Sequence, residues 1–165
     1  MFLYLLCPVL PCTALLSTTV CTSSVTDLPG MLSQTDIIDW CYTEALGPTD
    51  AWPYLYRDDP NPANPFGRER VYNPMPSPTH LTRMRDCSPI VYVHSGAVTA
   101  PVLMLLGAKD RRVPQSQGIS YYHSLRSMGV PTKLLVFPDD VHAIDKPASE
   151  AEQWVAIADW IMTHL

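Results

Sequence analysis

The chain has 165 residues, enough for one domain with a buried core. Its net charge of -5 argues against nucleic acid and an anionic membrane surface as partners. The basic clusters at Arg68 and Arg70 and at Lys109 to Arg112 are short, mixed with acids, and read as solvated surface.

The first 24 residues, MFLYLLCPVLPCTALLSTTVCTSS, open on an apolar run. No basic residue precedes it, as a signal peptide would require, and prolines break it short of a membrane span. It reads as a buried strand followed by a loop, or as a start that replaces a lost domain; a secreted protein is the competing reading. Residues 31 to 46, MLSQTDIIDWCYTEAL, carry Ile37, Ile38, Cys41 and Ala45 at helical spacing, and Gly47 and Pro48 end the helix. Nine prolines then fall between Pro48 and Pro89. Each removes a donor and fixes φ, so residues 48 to 86 read as a long loop or insertion without regular helix or central strand. Its aromatics Trp52, Tyr54, Tyr56, Phe66 and Tyr72 suggest that parts of it lie on a surface. CSPIVYV, from Cys87, reads as a turn and a short strand.

APVLMLLG is a continuous apolar run between Pro101 and Gly107, the pattern of a strand buried on both faces of a parallel sheet. PQSQGISYYHSLRSMG follows, with Ile119, Tyr122, Leu125 and Met128 on one helical face and Gly129 as the stop. PTKLLVF is a second apolar strand of the same kind. PASEAEQWVAIADWIMTHL predicts a final helix with Ser149 as N-cap, Glu152 completing a capping box, and Trp154, Ile157, Ala158 and Ile161 facing inward. Strand, helix, strand, helix at these lengths is a parallel α/β unit.

Five cysteines, Cys7, Cys12, Cys21, Cys41 and Cys87, are irregularly spaced. They give neither a disulfide framework nor a zinc pattern, so no metal and no cofactor is expected, and the thiols read as reduced in a cytoplasmic protein.

Functional residues of open α/β sheets gather beyond the carboxyl ends of the strands. Asp110 lies there after LMLLG, and His142 lies there after LLVF, within LLVFPDDVHAI. A carboxylate paired with imidazole at that edge would accept the Nδ1–H, fix the tautomer and stabilise the imidazolium. Taken singly, an Asp after a strand is a turn former and a loop His is solvated. Together, Asp before His on a parallel sheet is the order of the α/β-hydrolases, in which a serine comes first.

The stretch PVLMLLGAKDRRVPQSQGISYYHSLRSMGVPTKLLVFPDDVHAI resembles the end of the catalytic domain of the prolyl-oligopeptidase family, and within it the acylaminoacyl-peptidase branch. DIIDWCYTEALG and CSPIVYV resemble segments of the same domain in the same order. The resemblance implies the C-terminal portion of an α/β-hydrolase fold, incomplete: a parallel sheet with flanking helices over residues 25–165, a proline-rich insertion at about 48–86, and an unmatched apolar segment at 1–24. It implies Asp110 and His142 as acid and base of a Ser-Asp-His triad. Arg111, Arg112, Val113 and Pro114 match a family motif without a catalytic role, as does Ser88 in a loop.

The family's glycine-flanked serine belongs upstream of the segment resembling residues 25 to 47. None of the seven glycines here flanks a serine in a G-x-S-x-G pattern. Ser95, before Gly96 in VYVHSGAV, lacks the preceding glycine and lies on the approach to the Asp110 strand. The oxyanion hole and the family's β-propeller are missing by the same comparison. The resemblance therefore implies a serine-type peptidase domain that lacks its nucleophile and is inactive alone. An N-acylated peptide is the substrate expected of the complete homologue, and a homo-oligomer stays open. The competing expectation is a non-catalytic interaction fragment that docks on a full-length homologue through an exposed sheet edge, since strands buried on both faces here lack their cover.

Overall fold

The computed structural model describes residues 17–47, 56–58, 68–70 and 76–165. In chain order these form β1 (Thr19–Thr22), α1 (Leu28–Met31), α2 (Ile38–Leu46), β2 (Tyr56–Asp58), β3 (Arg68–Arg70), α3 (Pro78–Asp86), α4 (Ile90–Val93), β4 (Val102–Gly107), α5 (Gln115–Ser127), β5 (Thr132–Phe137) and α6 (Pro147–His164). The opening apolar run before residue 17 and Trp52, Tyr54, Phe66 and Tyr72 lie outside the described residues.

β4 is the centre of a three-stranded sheet of order β1-β4-β5, with both neighbours parallel to it. All six of its residues, VLMLLG, are buried. Alternation sends them into two cores. Val102 and Met104 pack with Val93, Tyr121, Leu125 and Val130 on the side of α4 and α5. Leu103 and Leu105 pack with Phe137, Ile144 and Trp160 on the side of α6. α5 comes close to the sheet because Gly118 faces Leu106, whose methyls would stand 2.6 Å from a Cβ there. A third core joins Leu28, Met31, Cys41, Tyr42, Ala45 and Met84 of the three earlier helices to Val113 of the loop after β4.

The parallel α/β architecture agrees with the sequence reading, and the end of the opening segment supplies a strand: Thr19 to Thr22 pair with Val102 to Leu105. Several local expectations are corrected. Residues 31 to 46 are not one helix. The chain breaks between α1 and α2, where the Thr35 hydroxyl donates to the Arg112 carbonyl at 2.7 Å and the Asp36 amide to the Arg111 carbonyl at 3.1 Å. These partners are distant in sequence and leave no local signal.

The proline-rich stretch contains regular structure. Pro78 sits in the first turn of α3, where its missing N–H costs nothing, and Ser77 caps the helix by accepting from the His80 amide at 3.2 Å. β2 and β3 pair antiparallel within the same stretch. CSPIVYV holds a helical turn, α4, rather than a strand; Pro89 already has helical angles, and the Ile90 amide donates to the Thr26 carbonyl.

β5 is not buried on both faces. It is an edge strand among the described residues, with Lys133 and Val136 exposed. On α5 the buried residues are Gln117, Gly118, Tyr121 and Leu125, and Met128 is exposed. The stripe is turned because the Gln117 side chain serves the Thr26 and Asp27 amides, at 3.1 and 2.8 Å. On α6 the inner residues are Gln153, Ala156 and Trp160, with Ile157 half-buried and Trp154 and Ala158 exposed. α6 begins at Pro147 with Lys146 as cap, so Ser149 lies inside the helix and makes no capping box.

Candidate functional site

The site stands at the carboxyl ends of β4 and β5. After Gly107 the chain turns tightly, and the Asp110 amide donates back to the Gly107 carbonyl. The Asp110 side chain is only 1% exposed, and both of its oxygens are occupied. Oδ1 accepts from the backbone amides of Arg112 and Val113, at 2.9 and 3.0 Å. Oδ2 lies 2.8 Å from His142 Nδ1. A short carboxylate side chain two and three residues before these amides closes such a turn readily, which explains an aspartate rather than a glutamate.

Burial alone would raise the Asp110 pKa. The hydrogen bonds from His142 and from the Val113 amide, the imidazole charge and the Arg112 amide outweigh it and hold the carboxyl below its ordinary value. An ionised carboxylate accepts only, so Nδ1 carries a proton, and in the neutral imidazole Nε2 is then the nitrogen with the lone pair. Among the described residues nothing hydrogen-bonds Nε2, and the His142 side chain is about one third exposed, at 35%. Such an imidazole can take a proton from a hydroxyl presented to it, and Asp110 would stabilise the imidazolium formed.

The loop that carries His142 is held at several points. The Lys109 amide donates to the Asp140 carbonyl and the Ala108 amide to the Phe137 carbonyl, both at 2.9 Å. The Asp140 carboxylate is buried; it accepts from the Ser149 hydroxyl at 2.6 Å and the Lys146 amide at 3.2 Å. Gln153 donates to the carbonyl of Ile144, which has a left-handed φ of 47°. The Ser23 hydroxyl, at the end of β1, donates to the main-chain carbonyl of His142 at 3.2 Å.

Both site residues predicted from the sequence are thus brought together. Asp140, Ser149, Gln153 and Ser23 were missed as supports. The two polar supports on α6, half-buried Ser149 and buried Gln153, were legible only as breaks in its apolar pattern. Ser88 is fully buried and structural: its hydroxyl donates to the Met84 carbonyl and accepts from the Leu28 amide. Ser95 is exposed and donates to the Tyr92 carbonyl at 2.7 Å. The cysteines described, Cys21, Cys41 and Cys87, are free thiols. Burial raises the pKa of Cys21 and pushes that of Cys41 up to about 12, so neither supplies a thiolate nucleophile. Among the described residues no group of three His, Cys, Asp or Glu could hold a metal, and no helix is long and apolar enough to cross a membrane.

Comparison with known proteins agrees with this fold. The model of the prolyl oligopeptidase family matches residues 54–165. Acylamino-acid-releasing enzyme 1 of Oryza sativa subsp. japonica is 36% identical over 141 residues, which are 86% of this chain and 16% of that enzyme. The acylamino-acid-releasing enzyme of Mus musculus is 34% identical over 149 residues, 90% of this chain and 17% of that enzyme. Among solved structures, Pyrococcus horikoshii acylaminoacyl peptidase in its orthorhombic crystal form superposes with a TM-score of 0.68 at 18% identity, covering 95% of this chain and 21% of that one. That likeness shows a shared α/β-hydrolase fold. The chain spans about a sixth of the length of these curated relatives.

Proposed function

This chain belongs to the prolyl oligopeptidase family, and we propose that it carries the acid–base part of a serine-type peptidase site acting on N-acylated peptides. The observation that carries the reading is the Asp110–His142 hydrogen bond of 2.8 Å at the carboxyl ends of two parallel strands. The substrate class rests on similarity to the acylamino-acid-releasing enzymes.

In this reading His142 Nε2 is the general base for a serine hydroxyl and then the acid for the leaving amine. Asp110 holds the tautomer and stays ionised throughout. The 165 residues contain no serine in a G-x-S-x-G pattern, so in this reading the chain alone forms no acyl-enzyme. The loss of a triad serine costs about as much as the loss of all three members, on the order of a millionfold in rate.

A fluorophosphonate probe tests this directly. The 165-residue chain should stay unlabelled under conditions that label an intact serine hydrolase. Covalent labelling of any serine in it would overturn the reading.

The open sheet supports a second reading. Among the described residues β1 and β5 each pair on one side only. A strand edge of this kind is a template for another chain, and the partner would be a full-length homologue. Co-purification with such a homologue at fixed stoichiometry would favour it, and a monomer that ignores the homologue would exclude it.

A further inference from the structure

The loop after β5 does not remain over its own strand. β1 and β5 are separated by β4, yet Ser23, one residue past β1, donates its hydroxyl to the carbonyl of His142. To reach it, the loop crosses the end of β4 at Gly107. There the carbonyls of Val141 and Asp140 occupy the space that a Cβ would need.

Ser23 is built for this contact. It is buried, and its backbone is in the left-handed region, with a φ of 44°. A serine adopts that conformation only when its surroundings impose it. Its amide donates to the Leu105 carbonyl at 3.0 Å, which fixes the turn to β4. The hydroxyl is thereby aimed across the end of the sheet.

The other ties of the loop act on its neighbours. Asp140 is bound by Lys146 and Ser149, and Ile144 by Gln153, from the α6 side, and the Asp140 carbonyl accepts from the Lys109 amide on the β4 side. Among the described residues the Ser23 hydroxyl is the hydrogen-bond partner of the His142 carbonyl itself. A small rotation of that peptide swings the whole imidazole, and misplacement of a reacting group by about 1 Å costs roughly a hundredfold in rate.

We propose that Ser23 is a positioning residue for His142: its hydroxyl fixes the main chain of the base, so that Nδ1–H stays on Asp110 and Nε2 stays in one place. The proposal rests on the reading of Asp110 and His142 as an acid–base pair. It makes β1 a third strand that supports the site.

The test uses the full 165-residue chain with its histidine rings labelled with nitrogen-15. The readout is the exchange rate of the His142 Nδ1 proton with water. Ser23→Ala removes the hydroxyl and keeps the strained backbone. Ser23→Gly removes it and relieves the backbone, so it carries the test if the alanine variant does not fold. Ser23→Asn restores a donor on a residue that tolerates left-handed angles.

Exchange should be about tenfold faster in the alanine and glycine variants, as expected for one lost hydrogen bond, and the asparagine variant should recover protection. Unchanged exchange in the glycine variant, or no recovery with asparagine, would overturn the proposal. In the unsubstituted chain, an Nδ1 proton without protection would instead sink the Asp110–His142 pair, and with it the functional reading.

Discussion

The carbonyl of Val141 lies against the α-carbon of Gly107, in the space where any other residue would carry its Cβ. The loop bearing His142 can therefore cross β4 only because β4 ends in glycine.

Gly107→Ala should lift that loop away from the sheet. The Asp140 carbonyl, 2.9 Å from where a Cβ would stand, would be displaced as well. Both obstacles are backbone, which cannot rotate away as a side chain could. Urea unfolding should show a loss of about 1–3 kcal/mol, the usual cost of overpacking. The Nδ1 proton of His142 should lose its protection in the same variant.

Asp110 makes stability depend on acid. Its pKa is lowered in the folded chain, so the folded state binds its proton less readily than the unfolded state does. The resulting stability is present above the unfolded value of about 3.9 and disappears as pH falls through the lower folded value. Urea midpoints measured from pH 6 downward should fall in this acid range. The fall should be shallower in Asp110→Asn, which has no proton to take up.

Ser88→Ala removes a hydroxyl that serves two backbone groups in a site closed to water. The Leu28 amide would be left buried without a partner. The expected cost is about 1–3 kcal/mol. Since Ser88 lies under α1 and α3 rather than at the sheet end, the His142 Nδ1 proton should keep its exchange rate.

The two tryptophans of α6 should behave in opposite ways. Trp154 is 62% exposed, whereas Trp160 is 8% exposed and packs on Leu103, Leu105 and Phe137. Trp154→Gln should change unfolding free energy by no more than about 0.5 kcal/mol. Trp160→Ala should cost about 3–5 kcal/mol. Equal losses would show that the inner face of α6 is assigned wrongly.

The sequence by itself determined the parallel α/β unit and the two long helices, and it singled out Asp110 and His142 as a pair. These rest on signals that are local: an unbroken apolar run bounded by Pro101 and Gly107, glycine stops at 47 and 129, and two reactive side chains at matching strand ends. The turn that orients Asp110 is local too, since its amide partners are only two and three residues away.

Only the tertiary structure decided which face each helix buries, where residues 31 to 46 break, and what holds His142. Each of these depends on polar groups paired across the chain: Gln117 with Thr26 and Asp27, Thr35 with Arg112, Gln153 with Ile144, Ser23 with His142. A buried polar group must find its partner wherever the fold presents one. That requirement moves apolar stripes by a residue, as on α5 and α6, and no periodicity of hydrophobic residues records it.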